Sequence, residues 1–152
     1  SWTTLSGELI HAVMTQTILA SAVPAGRPAD LDWDWCQRGC EAARRDGFSR
    51  ALFEVRLWEV RAAQQVSPLQ RLSFLIGSAI EESLTAFRAA GFLHAGPVTL
   101  IGQGGIASGW CKRLQRDGLL IETIDSDQTA YCFVQGISQL VEFSQTPGSA
   151  HP

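Results

Sequence analysis

No dense cluster of lysine or arginine occurs in the 152 residues, and the 12 basic side chains are outnumbered by 15 acidic ones, giving a net charge of −3. Neutralising nucleic-acid phosphates takes a basic stripe, so no nucleic-acid partner is expected. Long hydrophobic runs are missing too. No stretch approaches the ~20 apolar residues that cross a bilayer, so no membrane span is expected. The apolar segment 9–23 is interrupted by His11, Thr15, Gln16 and Thr17, and Glu8 rather than a basic residue precedes it, unlike a secretory leader. Cysteine is sparse: Cys36, Cys40, Cys111 and Cys132. A small secreted domain would carry a denser framework, so reduced thiols and a cytoplasmic location are expected. Cys36 and Cys40 would lie one helical turn apart, but no second close Cys/His pair completes the roughly four ligands of a zinc site, and no metal site is expected. Histidine is limited to His11, His94 and His151. His11 falls inside an apolar helical pattern and reads as an ordinary packed imidazole. His94 falls in a loop and His151 in the tail, so none of the three stands out as a catalyst. There is no internal repeat and no low-complexity tract.

What is present is ordinary globular material, 45% hydrophobic and 18% charged. The length suits one domain or one lobe of a two-lobe protein. Residues 2–5 read as the end of a short strand. Ser6 can cap a helix over about 8–22, with Glu8 near its positive end. Asp30, Asp32 and Asp34 lead into a helix over about 33–46 that stops at Gly47, and another starts at Ser49. Ser67-Pro68-Leu69-Gln70 is the clearest helix start, with a Ser cap, Pro in the first turn and Gln three residues after the cap. That helix runs to about residue 90, with Leu69, Leu72, Ile76, Ala79, Ile80, Ser83 and Phe87 on one face.

The pattern then changes. Val98-Thr99-Leu100-Ile101 reads as a buried strand. Gly102-Gln103-Gly104-Gly105 is a turn, followed by a helix over about 107–117, a strand over 119–124, a helix over about 129–143 and a loose tail from 144 to 152. A crossover through the intervening helix makes the two strands parallel. Two or three strands are too few for a complete sheet under so many helices, which suggests missing chain.

A strand that ends in glycines and opens into a helix is a site for an anion or a nucleotide. Glycine lets backbone approach the ligand, and the helix start offers free N–H groups. Ser108 adds a hydroxyl, and Ile106 and Ala107 add apolar surface. The spacing Gly102-x-Gly104-x-x-Ala107, with Glu122 twenty residues after Gly102, also fits a dinucleotide fingerprint and so an oxidoreductase fragment. A tight turn without a ligand is the plainer alternative.

Several short motifs in order carry a family resemblance over about residues 3–140. Thr4-Leu5-Ser6-Gly7-Glu8-Leu9 resembles the Thr-Gly-Glu-Leu signature of the 2-keto-3-deoxygalactonokinases (2-dehydro-3-deoxygalactonokinases), with Ser6 in place of Thr. Leu52-Phe53-Glu54-Val55-Arg56 is similar to their Leu-Phe-x-Val-Arg segment, and Leu72 to Gly77 to their Ser-Gly-Leu-Leu-Ile-Gly helix. Leu100 to Ser108 falls where their adenosine-side glycine loop falls, although Gln103 splits the glycines. Asp127-Gln128-Thr129-Ala130, followed by Gly136, resembles their closing helix. The family's opening Asp-Trp-Gly-Thr-Thr/Ser-Asn phosphate motif and its Pro-Gly-Thr-His-x-Lys hairpin are absent.

The resemblance implies an α/β fold: part of an actin-like ATPase, ribonuclease-H-like sugar-kinase lobe with a helical insertion. Residues 1–143 would be the C-terminal lobe, helical over about 8–90 and nucleotide-side α/β over about 97–143. It implies ATP and Mg²⁺, a sugar-acid substrate, and a missing N-terminal lobe of the same protein. Gly102, Gly104, Gly105 and Ser108 would hold the adenosine side. Glu8 and Arg56 are the substrate-side candidates, since a guanidinium suits a carboxylate. Glu8 also reads as a complement to the helix dipole, and Arg56 equally as a surface or inter-helix arginine. Asp127 reads more readily as a helix cap than as a ligand. No residue is placed as general base, which points to the missing part. This fragment alone would be inactive, and its exposed apolar surface would favour homo-oligomers. The alternative of another class is a non-catalytic nucleotide-binding or interaction module, with Trp33, Trp35, Trp58 or Trp110 as a partner surface.

Overall fold

The structure, a computed structural model, describes residues 6–26, 28–93 and 96–145, without the side chains of 126 and 142–145. Its elements run α1 (Ser6–Gln16), α2 (Trp33–Asp46), α3 (Phe48–Ala62), α4 (Pro68–Ala89), β1 (Val98–Ile101), α5 (Gly104–Arg116), β2 (Ile121–Ile124) and α6 (Ser126–Gln145). The described residues are mostly helical, with a small sheet of two parallel strands. Val98 pairs with Ile121 and Ile101 with Ile124, as the crossover argument predicts. The strand predicted at 2–5 and most of the predicted tail lie outside the described residues.

α4 is the hub. The Ser67 side chain accepts the N–H of Gln70, the Gln70 side chain accepts the N–H of Ser67, and Pro68 opens the helix. Residues 71–81 are buried on every side, not on one face, because α1, α2, α3 and α5 all pack against this helix. Leu69, placed on the buried face by its spacing, is instead 43% exposed in the first turn, ahead of the buried run. Leu72, Leu75, Ile76, Ile80 and Leu84 form the centre with Val55 of α3. Each such side chain contributes roughly 1.5–3 kcal/mol when fully buried.

Two glycines let α2 and α4 touch backbone to backbone. A Cβ on Gly39 would overlap the carbonyl oxygen of Phe74, and one on Gly77 would overlap that of Cys36. The Cys40 thiol donates to the Gly77 carbonyl at 3.2 Å, and Ser78 Oγ lies 3.1 Å from the Gly39 carbonyl. Polar atoms thus occupy the space that larger side chains would need.

Several boundaries differ from the sequence reading. α1 already includes Ser6, whose hydroxyl lies 2.8 Å from that of Ser83. α1 also ends at Gln16, because Thr17 Oγ1 donates to the Val13 carbonyl at 2.7 Å and accepts the Leu19 N–H at 3.1 Å. Those local bonds compete with the helix ladder. α6 is capped by Asp125, which accepts the Gln128 N–H at 2.8 Å, so Asp127 lies in its first turn and is not the cap. β1 is not a buried strand: its residues alternate in exposure and Ile101 is 61% exposed. Among the described residues the sheet has two strands, and both mix half-buried with exposed positions.

Trp33, Trp35, Trp58 and Trp110 all pack against the core. Trp58 stands edge-on to Trp35 at 5.2 Å and to Phe74 at 4.6 Å. All four stay partly exposed, and Trp110 also lines a cleft beside α1 and α5. Among the described residues, no helix is long and apolar enough to cross a membrane.

Candidate functional site

β1 ends at Ile101 and the chain turns through Gly102 and Gln103 directly into α5. The helix starts at Gly104, three residues earlier than the sequence predicts, so the glycines themselves form its first turn. Gly104 has φ +73°, a left-handed backbone that other residues adopt at a cost of roughly 1–2 kcal/mol. Gln103 is the cap residue, extended and without a side-chain cap bond. The positive end of α5 is therefore not closed by its own cap side chain.

Gly105 has another task. Its N–H donates to the Pro28 carbonyl at 3.1 Å, and a Cβ there would stand 2.9 Å from the Asp30 carbonyl carbon. It is buried and fixes the turn against the 28–30 loop. Gly109, one helical turn later, leaves room for Leu31 and Ile80.

Two cavities meet at the turn. The smaller, about 380 Å³, is lined by Gly102, Gln103, Gly104, Ala107, Ser108 and Lys112, among others. Its volume is within the usual range for small-molecule pockets. Lys112 is the only lysine in the chain. It sits one turn beyond Ser108 on the same helix face, with its ammonium 5.7 Å from the centre of the Trp33 ring. Sequence reading missed it, although the spacing of Ser108, Lys112 and Gln115 after the glycines was a readable signal.

The larger cleft, about 1320 Å³, lies among α1, α4, α5 and β1. Its lining is mainly apolar, including Ile76, Ile80 and Trp110, with Glu8 and His11 on the α1 side. Leu100, Gly102, Gln103 and Ala107 border both cavities. Glu8 thus lies in a cleft that the glycine turn also walls. His11 is exposed on that wall, not a packed core imidazole. The i, i+3 step from Glu8 puts it on the open side of α1, which ends before its apolar pattern can be enclosed.

Arg56 is not brought to either cavity. It pairs with Glu59 one turn along α3, and its Nη1 lies 3.4 Å from Ser21 Oγ. Ser108 and Gly104 share the smaller cavity, while Gly105 lines neither.

A buried charge network holds α5 in place. Glu81 of α4 is 1% exposed, and its Oε2 accepts from Arg113 Nε of α5 at 2.9 Å. Its Oε1 accepts from Arg44 of α2 at 3.0 Å and Arg88 at 3.2 Å. Asp117 takes the other ends of Arg88 and Arg113. Burial pushes the Glu81 carboxyl upward, but hydrogen bonds from Arg44 and Arg113 outweigh it, and its pKa is lowered. Asp117 is lowered likewise, by Arg113 and Arg88 against burial. These arginines are engaged with the carboxylates and anchor the helix that carries the turn.

Cys36 and Cys40 are buried. The bond that Cys36 donates to Cys40, together with burial, pushes its thiol upward, away from the reactive thiolate.

Residues 1–140 match the sequence profile of 2-keto-3-deoxy-galactonokinase, which spans all but the last few residues of α6. The chain belongs to the 2-keto-3-deoxy-galactonokinase family. Membership places it in a kinase family of carbohydrate metabolism. Among solved structures it is similar to a candidate 2-dehydro-3-deoxygalactonokinase from Sinorhizobium meliloti, with a TM-score of 0.71 and 20% identity. That likeness is one of fold. It covers 90% of this chain and 45% of the other, so the chain spans less than half the length of that kinase-family neighbour. No curated protein matches it.

Proposed function

We propose that the protein carrying this chain moves the γ-phosphoryl group of ATP to the 6-hydroxyl of 2-dehydro-3-deoxygalactonate, and that this chain is its C-terminal, nucleotide-side lobe. One observation carries the reading: in a chain of this kinase family, the glycine turn, the start of α5, Ser108 and the sole lysine surround one cavity. Gly102 and Gly104 leave room for the nucleotide, and Ser108 offers a hydroxyl to it. Gly105 supports the turn from behind through Pro28. Lys112 places a positive charge at the same cavity, where phosphate oxygens gain most from it. Among the described residues no cluster of carboxylates, histidines or cysteines would hold Mg²⁺, so it would have to be bound with the nucleotide, where it would supply charge neutralisation.

Glu8, across the larger cleft, accepts hydrogen bonds from hydroxyls of the sugar acid. Arg56, held by Glu59, would reach the substrate carboxylate only by leaving that pair. Phosphoryl transfer depends mainly on positioning and charge neutralisation. A general base within hydrogen-bond reach of the 6-hydroxyl is still needed, and we assign it to the N-terminal lobe. The intact enzyme is then a cytoplasmic, actin-like two-lobe kinase with its cleft between the lobes, and this chain alone is inactive.

The test is ATP-dependent phosphorylation of 2-dehydro-3-deoxygalactonate by the full-length protein and by the 152-residue chain. Turnover by the first and none by the second is the expected result. No turnover by the full-length protein on this substrate would remove the proposal.

A further inference from the structure

α6 presents a stripe that none of the site chemistry uses. Phe133, Val134, Ile137, Leu140 and Val141 recur at helical spacing and are 70%, 60%, 47%, 67% and 47% exposed. Tyr131 beside them is 66% exposed. Over its 20 residues α6 carries no lysine or arginine, and its only acids are Asp127 and Glu142. An aromatic-rich, charge-poor face of this kind has the composition of an interface core. Scattered exposed apolar residues are ordinary, but a continuous row along one helix marks a contact surface.

Two further observations name the occupant. The family match runs through Leu140, so all of the stripe but Val141 falls within the family's own domain and is not an appended tail. The chain covers only 45% of its structural neighbour, which leaves more than half of that fold without a counterpart here.

We infer that α6 is the docking helix for the other half of the kinase fold, seating Phe133, Ile137 and Leu140 against an apolar surface of that half. The inference rests on the reading of this chain as one lobe, but it concerns contact and not catalysis. The partner's face must be apolar and need not be basic, because α6 offers it almost no charge.

The experiment is to produce the remaining lobe of the same protein as a separate polypeptide and mix it with the full 152-residue chain. Mass by light scattering and amide hydrogen exchange are then measured. A one-to-one complex is expected, with exchange in α6 slowed at least tenfold. Phe133→Glu with Ile137→Glu should abolish the complex, while Phe133→Leu should preserve it. Circular dichroism of the glutamate variant should be unchanged, since these side chains lie outside the α1–α5 core. Three results would overturn the inference: no complex, a complex indifferent to the glutamates, or α6 protected instead in a dimer of this chain. A complex that forms through α6 but transfers no phosphate would leave the inference standing and defeat the proposed reaction.

Discussion

The Cα of Gly77 on α4 sits so close to Cys36 on α2 that a Cβ there would lie 2.7 Å from the Cys36 carbonyl carbon. Gly39 meets Phe74 in the same way from the other helix, so the two contacts lock one pair of backbones. A methyl group at either site must push the helices apart through a core that is already filled. Gly77→Ala is expected to cost about 3 kcal/mol or more, at the upper end of ordinary overpacking. Urea unfolding checks this, and an unchanged midpoint would show that the helices do not pack this closely.

Glu81 depends on its arginines. Removing one partner of a buried pair costs about 3–5 kcal/mol, because the remaining charge is left uncompensated. Arg113→Met is therefore expected to destabilise strongly. Replacing Glu81 and Arg113 together by apolar residues should recover much of the loss.

The same network sets the acid response. The Glu81 and Asp117 carboxyls are held below their ordinary values of 4.5 and 3.8. A lowered carboxylate pKa contributes stability that is full above the unfolded value and fades as pH falls through the folded one. Stability is thus expected to be level down to about pH 5 and to fall below that. Glu81→Gln should flatten the fall, as measured by thermal unfolding across that range.

At the glycine turn, Gly104→Val forces a β-branched side chain into a left-handed backbone beside the smaller cavity. Nucleotide affinity of the full-length protein should drop sharply. Lys112→Ala removes a charge and little packing, and about a tenfold loss of ATP affinity, or 1.4 kcal/mol, is expected with stability retained. Calorimetric titration with ATP measures both variants. Wild-type affinity in Lys112→Ala would place the phosphates elsewhere.

Ser67→Ala removes one half of the capping box at the start of the central helix. About 1 kcal/mol should be lost. Thermal unfolding reads this out, and a null result would mean that burial of residues 71–81 holds the helix without its cap.

The sequence by itself determined what depends on neighbouring residues. Ser67, Pro68 and Gln70 start α4 through bonds reaching three residues. Gly47 stops α2, and a short apolar run followed by glycines sets β1 before α5. The ordered motifs also pointed to the family that the profile match shows. Tertiary structure decided whatever depends on partners distant in the chain. Gly39 and Gly77 look like two unremarked glycines until α2 crosses α4. No local pattern singles out Glu81, which becomes the centre of a charge network only because Arg44 and Arg113 arrive from other helices. Gly105 looks like a ligand-cradling glycine until Pro28 takes its N–H. His11 reads as core until α1 stops at Gln16 and leaves it on the cleft wall. Helical spacing specifies which residues share a face, but the packing of other elements decides what that face meets and which of its polar groups stay free for a ligand.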